Sequence, residues 1–183
     1  VDFPERLTQA FLSAEDKTFY EHPGIDIPGV IAAALRNLKN IGSDRRPQGA
    51  STITQQVAKN FLLTNEVSFE RKIKEAILAF RIERAFSKDR ILELYLNEIY
   101  LGQGSYGVAA AALNYFNKSM DELSVAEAAY LAALPKAPNN YHPIRNLQAA
   151  QARRDWVVNR MLEDGLITDE EAKHAWTEPL RVS

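Results

Sequence analysis

Two polar segments near the start of the chain carry side chains suited to acid–base chemistry on a polar, anionic substrate. The first contains adjacent carboxylates, Glu15 and Asp16, and the second is the run GASTITQQVAKN, residues 49–60. On a helix, the neighbours of Glu15 one turn away are mostly apolar: Phe11, Leu12, Thr18 and Phe19. Apolar surroundings penalise the charged form of a carboxyl group, so we predict a raised pKa for Glu15 and a role in proton transfer.

The acidic pair also has a purely structural interpretation. Asp16 points about 100° away from Glu15 on a helix, so the two carboxylates need not share one proton and could divide the work. They could equally form a solvated face at the end of the first helix, paired with Lys17 and His22. Solvated ion pairs of this kind are common on helix surfaces, and the acidic pair alone leaves both interpretations open.

Hydroxyl, amide and ammonium groups are concentrated in the second segment. Backbone N–H groups at a helix start, with such side chains at helical spacing, can hold phosphate or sugar oxygens. The candidate ligands are Ser51, Thr52, Thr54, Gln55, Gln56, Lys59 and Asn60. The alternative is an N-capping Ser or Thr followed by an ordinary polar helix surface.

A third candidate site lies in FERKIKEAILAFRIERAF, where Glu75 follows a basic turn. Apolar residues after Ala76 occupy every side of this helix, which predicts that it passes through the core. Arg71 and Lys72 lie one turn before Glu75, so an exposed ion pair is the simple interpretation. Together with Lys74 they could instead form a half-buried electrostatic site that suits a pyrophosphate leaving group.

Composition limits the classes of protein that the chain can represent. Its 183 residues, 46% hydrophobic and 25% charged, are typical of one soluble domain with a real core. A net charge of −2 argues against a general surface for nucleic acid, and the absence of cysteine excludes disulfides and thiolate metal sites. The chain contains no long apolar run and no signal peptide, and its two ends lack obvious boundaries, so we expect a piece of a longer protein.

The elements that must position these groups are helices, because the apolar spacing is helical almost throughout and no alternating strand is convincing. The sequence therefore predicts a mainly α fold. Helices are predicted at about 5–20, 28–42, 52–63, 69–86, 88–101 and 108–115, from Ser124, at 146–164, and from Thr168. Glu127 and Glu171 would complete capping boxes with Ser124 and Thr168. The segment SDRRPQG, residues 43–49, predicts an exposed loop that is poorly ordered without ligand.

In order and spacing, these residues resemble the five sequence blocks of the peptidoglycan glycosyltransferases, glycosyltransferase family 51. The blocks are EDKTFYEHPG, QGASTITQQVAKN, RKIKE, KDRILELYLNEIYLGQGSYG and LAALPKAPNNYHP, and the resemblance runs from about Leu7 to Met161. It is greatest to the glycosyltransferase domain of bifunctional, class A penicillin-binding proteins of the first type. The resemblance implies one lysozyme-like domain over residues 1–183, with a larger head lobe and a small membrane-proximal jaw lobe at about 25–66.

The resemblance also implies a reaction. Proteins of this family polymerise lipid II outside the bacterial cytoplasmic membrane, forming β-1,4 bonds with inversion and releasing undecaprenyl pyrophosphate. Glu15 matches the general base that acts on the acceptor 4-hydroxyl. Glu75 matches a second glutamate that stabilises the departing pyrophosphate, often with a divalent cation, Mg or Mn. The substrate-binding residues would then be Asp16, Ser51, Thr52, Gln55, Gln56, Lys59, Asn60, Arg71 and Lys74.

Several partners follow from the same resemblance. The donor site would also bind the inhibitor moenomycin, and neither an organic cofactor nor nucleic acid is expected. A transmembrane helix before Val1 and a transpeptidase domain after Ser183 would belong to the full-length chain. Apolar residues of the jaw lobe could contact the membrane surface, although core packing explains most of them equally well: Val30, Ile31, Leu35, Leu38, Phe61, Leu62 and Leu63. His22 and Gly24 would shape the turn after the base.

Two other functions are weighed against this one. A lytic transglycosylase or lysozyme-like hydrolase would also place a glutamate at a helix end. Such enzymes usually follow it with serine, whereas Asp16 follows here, and a lysozyme cleft has no use for a basic lining. A non-enzymatic helical interaction domain would leave the three polar segments unexplained.

Overall fold

The structure, a computed structural model, describes residues 2–39, 51–62, 68–135 and 137–183. Over these residues the backbone is helical, and its β structure is limited to one isolated bridge between Tyr100 and Tyr106, which confirms the mainly α prediction. The α-helices are α1 (Glu5–Glu15), α2 (Ile27–Lys39), α3 (Ile53–Asn60), α4 (Phe69–Ala85), α5 (Lys88–Glu98), α6 (Val108–Phe116), α7 (Val125–Ala133), α8 (Leu147–Glu163) and α9 (Asp169–Thr177). Short 3-10 helices occur at Met120–Glu122 and Pro138–Tyr141. The predicted loop at 43–49 and Leu63 lie outside the described residues.

Helix starts agree with the sequence where the capping groups are local. The hydroxyl of Ser124 accepts from the backbone N–H of Glu127 and the Glu127 carboxylate accepts from the N–H of Ser124, so α7 begins with the predicted capping box. Thr168 and Glu171 form the equivalent box at α9. Both boxes are confirmed, because each depends only on residues three positions apart.

The chain divides into two compact units, with the boundary inside α5. The larger unit comprises Val1–Lys17 and Glu93–Ser183, and the smaller unit comprises Thr18–Leu92. In sequence, the jaw lobe predicted at about 25–66 falls within the smaller unit, and its bounds stay a prediction.

The larger unit is built around α7, which contacts α1, α6, α8 and α9. Residues 128–134, which end with the C-cap of α7, are all buried. Four of these seven residues are alanine in the run AAYLAAL. Alanine permits close approach of neighbouring helices, so a short helix can be covered on every side. The Tyr130 hydroxyl donates to the Tyr141 carbonyl at 2.7 Å, which satisfies the polar end of a buried ring.

In the smaller unit, α3 packs against α4. Two loop contacts hold the chain before α2 to this pair. Gly24 has φ of +117°, and a Cβ there would lie 3.2 Å from the Ala79 carbonyl oxygen on α4. Its carbonyl oxygen accepts from the Thr52 hydroxyl at 2.7 Å, at the start of α3. The Gly24 backbone N–H donates to His22 Nδ1 at 3.1 Å, which confirms that these two residues shape the turn.

The prediction that α4 passes through the core is wrong. Its buried residues are Arg71, Glu75, Ala79 and Ile82. Four large apolar side chains lie on the other side and are exposed: Phe69, Ile73, Ile77 and Phe80. Helical spacing separates these two faces, but it does not tell which face meets neighbouring elements. Contact with α3 buries the charged and small residues and leaves the apolar stripe in solvent.

Candidate active site

Glu15 is the last residue of α1 and is half-buried, whereas Asp16 forms the C-cap and is 7% exposed. The helix therefore ends five residues before the predicted end at Tyr20. Thr18 and Phe19 are not helical neighbours of Glu15, which removes half of the neighbourhood on which the raised pKa was predicted. The burial of Asp16 also contradicts the interpretation of the pair as a solvated helix face.

The end of α1 is fastened to the end of α8. Asp164, the C-cap of α8, accepts from the Ser13 hydroxyl at 2.8 Å and pairs with Lys17 at 3.1 Å. Lys17 thus has a carboxylate partner on α8, which the sequence did not suggest. These two contacts hold the backbone on either side of Glu15, so its carboxylate is presented from a fixed helix end.

Two side chains from distant parts of the sequence interact electrostatically with this carboxylate. Tyr95 on α5 is buried, with its ring edge-on to Phe11 at a centroid distance of 6.2 Å. Burial raises the pKa of the Tyr95 hydroxyl well above its usual range, and the charges of Glu15 and Asp16 raise it further. The tyrosine is therefore neutral and can only donate or accept a hydrogen bond.

Arg153 on α8 is the second of these side chains. Burial lowers the pKa of its guanidinium group, and the nearby Tyr141 and Glu15 oppose that shift. Sequence reasoning did not find Arg153, because its segment QARRDWVVNR contains no pattern that separates it from a polar helix surface. Tyr95 lies in the block KDRILELYLNEIYLGQGSYG, to which the resemblance assigned no site residue. Arg153 lies on α8, which packs against α1 in the larger unit.

In the smaller unit, the start of α3 explains two of the predicted ligands structurally. Thr52 is the N-cap, and its hydroxyl accepts from the Gln55 backbone N–H at 3.0 Å. The Gln55 side chain in turn accepts from the Thr52 backbone N–H at 2.8 Å. The cap is thus Thr52 rather than Ser51. The Thr52 hydroxyl also donates to the Gly24 carbonyl, and only 2% of the residue is exposed. Thr52 therefore has a structural role at the start of α3.

Loss of this cap should destabilise the chain. We expect Thr52→Val to lower the free energy of unfolding by about 2 to 3 kcal/mol, because the capping bond and the bond to the buried Gly24 carbonyl are both lost. Thr52→Ser retains the hydroxyl and serves as the control. Urea unfolding of both variants tests this, and equal stabilities would show that the hydroxyl contributes nothing.

Among the other predicted ligands of this segment, Thr54 is buried and donates to the Glu83 carboxylate at 3.0 Å, whereas four others are more accessible. Ser51 and Gln56 are half-buried, and Lys59 and Asn60 at the end of α3 are exposed. These side chains lie on the surface of one helix and at its start. Their ammonium, amide and hydroxyl groups can bind phosphate or sugar oxygens. Their role in binding substrate stays a prediction.

The third segment contains two ion pairs, one with a buried carboxylate and one that is exposed on both sides. Glu75 is 2% exposed, and one carboxylate oxygen lies 3.4 Å from Lys72 Nζ. Arg71, four residues earlier, is buried on the same face of α4. Lys74 instead pairs with the exposed Glu70 at 3.3 Å. Arg71 and Glu75 thus lie on the buried face of α4, whereas Lys74 lies at the protein surface.

Removing the charge of a carboxylate from water costs free energy unless a cation compensates it. Within the described ranges, no group of three or more His, Asp or Glu side chains could hold a metal ion alone. One carboxylate such as Glu75, completed by phosphate oxygens of a substrate, matches the usual mode of Mg²⁺ binding. The residues present therefore fit a cation shared with a pyrophosphate.

Comparison with known proteins identifies the family. A sequence model of the transglycosylase family matches residues 1–162. The chain is 59% identical to penicillin-binding protein 1A of Rickettsia felis over 177 residues, which are 97% of this chain and 22% of that protein. It is 53% identical to penicillin-binding protein 1A of Neisseria flavescens over 179 residues, 98% of this chain and 22% of that protein.

A solved structure agrees with these matches. The crystal structure of penicillin-binding protein 1A from Haemophilus influenzae superposes with a TM-score of 0.58 and 31% identity, over 100% of this chain and 17% of that one. The chain thus spans 22% of the length of the curated relatives named above. Since the family match covers most of the residues and includes all the blocks that carry the resemblance, the chain belongs to the transglycosylase family, the peptidoglycan glycosyltransferases.

Proposed function

We propose that the chain is a peptidoglycan glycosyltransferase that polymerises lipid II into β-1,4-linked glycan strands. The observation that carries this proposal is the half-buried carboxylate of Glu15 at the fixed end of α1, beside the buried Asp16, in a chain of this family. A carboxylate at a fixed helix end, partly shielded from water, is suited to remove a proton from a sugar hydroxyl.

In this reaction Glu15 acts on the acceptor. It takes the proton of the lipid II 4-hydroxyl while that oxygen attacks the anomeric carbon of the lipid-linked glycan chain. The new C–O bond forms as the bond from the anomeric carbon to pyrophosphate breaks, and the bonding electrons leave with undecaprenyl pyrophosphate. Attack opposite the leaving group inverts the anomeric centre, which yields the β-1,4 bond.

Glu75 and its basic neighbours act on the leaving group. Arg71 supplies a buried cation on the same helix face, and Lys72 lies 3.4 Å from the Glu75 carboxylate. A divalent cation, Mg or Mn, would supply charge neutralisation to the pyrophosphate when bound, and the Glu75 carboxylate would hold it. Preorganised charges of this kind stabilise a leaving anion without rearrangement during the reaction.

The exposed apolar faces of the smaller unit support binding at a membrane surface. On α2 they include Ile27, Ile31, Leu35 and Leu38, and on α4 they include Phe69, Ile73 and Ile77. No helix of the described residues is both long and apolar enough to span a bilayer. Apolar stripes on helices of this kind can enter the interfacial region of a bilayer, where a lipid-linked substrate resides.

The longer protein is part of the proposal. Relatives four to five times the length of this chain carry the name penicillin-binding protein, which supports a transpeptidase domain in the full-length chain. We propose that the full-length protein is anchored by a transmembrane helix and works on the outer, periplasmic face of the cytoplasmic membrane. Moenomycin is expected to inhibit it by occupying the donor site.

Incubation of the chain with labelled lipid II and Mg²⁺ in detergent tests the function. We expect labelled polymer, separable by gel electrophoresis and digested by a muramidase, and no polymer when moenomycin is present. A chain that makes no polymer but cuts pre-formed glycan would be a hydrolase. A chain with neither activity would favour the interaction domain.

A further inference from the structure

The helix α6 has apolar residues on all sides, although only one side of it is buried. Its sequence VAAAALNYF contains no charged residue. The buried residues are Val108, Ala111, Ala112, Tyr115 and Phe116. On the other side Ala109 and Leu113, one turn apart, are exposed, and Leu113 is 59% exposed. A helix that is apolar all round is normally buried all round, so we expect another element to cover this side of α6.

Two exposed tyrosines precede α6. The rings of Tyr100 and Tyr106 contact each other at a centroid distance of 4.8 Å. The isolated bridge between these residues, and the bond from the Gly107 N–H to the Ile99 carbonyl at 2.7 Å, fix the backbone that carries them. Exposed aromatic rings are enriched at protein interfaces. The exposed apolar residues at α6 are together termed the α6 surface: Tyr100, Tyr106, Ala109 and Leu113.

The segment after α9 follows a fixed path within the larger unit. Arg154 is buried on α8 and donates to the Glu178 carbonyl at 2.7 Å. The Ser124 hydroxyl donates to the Glu178 carboxylate at 2.7 Å. Two residues later, Leu180 is buried. The segment is therefore held by a buried cation, a hydroxyl and an apolar side chain.

This segment reaches the C-terminal end of α6 at Ser183. The Ser183 N–H donates to the Tyr115 carbonyl at 2.9 Å, and the Ser183 hydroxyl donates to the Phe116 carbonyl at 3.3 Å. Carbonyl groups in the last turn of a helix lack partners within the helix, so these bonds cap α6. Leu113 lies three residues before Phe116. Residues that follow Ser183 therefore begin beside the turn of α6 that carries Leu113.

We propose that the chain following Ser183 packs on the α6 surface and covers it. The inference rests on the longer chain of the proposed function, for which the relatives, four to five times the length of this chain, are the support. The path from Glu178 to Ser183 leads that chain to α6, and an uncharged surface with aromatic rings matches the centre of an interface. Packing there removes Leu113 and the two rings from water. It also fixes the direction in which the next domain leaves this one.

Thiol labelling of the full-length protein tests whether α6 is covered. We expect a maleimide to label Leu113→Cys more slowly than Ile144→Cys by on the order of 10-fold or more, because a covered thiol is unreactive. Ile144 is the matched control, since it is apolar, belongs to the same unit and is 72% exposed. The 183 residues contain no cysteine, and mass spectrometry of the peptides reads each position separately. Lipid II and glycan are left out of the reaction. Equal rates at the two positions overturn the proposal.

Photo-crosslinking identifies what covers the surface. With p-benzoylphenylalanine in place of Tyr106 in the full-length protein, we expect cross-links within one molecule to residues that follow Ser183. Cross-links only between two molecules, or none to those residues, overturn the proposal. Neither measurement depends on polymerisation. If α6 is covered as proposed but lipid II gives no polymer, the proposed activity fails alone. If polymer forms and Leu113→Cys reacts as fast as Ile144→Cys, this inference fails alone.

Discussion

Glu15→Gln is expected to reduce the rate of lipid II polymerisation by on the order of 10²- to 10⁴-fold, the range for loss of a general base. Glutamine has the shape of glutamate but cannot take a proton. Glu15 is half-buried at the end of α1, so the substitution should change chemistry more than folding. Initial rates of polymer formation from labelled lipid II measure the effect.

Glu5→Gln is the matched control for this variant. Glu5 lies on the same helix, is exposed, and accepts a hydrogen bond from Gln9 at 3.2 Å. It should retain the wild-type rate, and the unfolding midpoints of both variants should stay near that of the wild type. If Glu15→Gln forms polymer within a few fold of the wild-type rate, the acceptor proton is removed by another group.

Glu75→Gln is expected to reduce polymerisation by on the order of 10²- to 10³-fold, the range for loss of one preorganised group that stabilises developing charge. The substitution removes the buried charge that would hold a cation at the pyrophosphate. We therefore expect the deficit to be largest at low Mg²⁺ and to shrink as Mg²⁺ is raised. Rates measured across a range of Mg²⁺ concentrations test both statements.

The exposed ion pair of the same helix supplies the control. Glu70 pairs with Lys74 at 3.3 Å, much as Glu75 pairs with Lys72 at 3.4 Å, but it is exposed. Glu70→Gln should polymerise at the wild-type rate with the wild-type dependence on Mg²⁺. Equal losses in the two variants would indicate a general effect of charge on α4. Should Glu75→Gln fail to fold, Glu75→Asp retains the charge and is expected to keep part of the activity.

The reversed faces of α4 connect fold and function. In a globular helix the apolar face normally packs inward, yet here Glu75 and Arg71 are buried while Phe69 is 82% exposed. Solvent contact of so many apolar side chains is unfavourable in a protein that acts in water alone. A membrane surface would remove this cost. The arrangement is thus consistent with a unit that works at the bilayer and keeps its charged groups for the substrate.

Local patterns were read correctly from the sequence because their causes are local. The capping boxes at Ser124 and Thr168 require only a hydroxyl and a glutamate three residues apart. The end of α1 is different, because the apolar spacing continues past Glu15 to Phe19 and predicts a longer helix than the structure has. The helix stops where Ser13 and Lys17 bind Asp164, a partner that no local pattern reveals.

The sequence by itself determined the helical class, the five blocks that carry the family resemblance, and the identity of Glu15 and Glu75 as candidate catalytic groups. Those properties depend on residue type, order and spacing along one chain. Only the tertiary structure decided which groups surround Glu15 and which face of α4 is buried. Tyr95 lies on α5 and Arg153 on α8, both distant from α1 in sequence. Their burial and charge interactions depend on how the helices pack rather than on spacing along the chain.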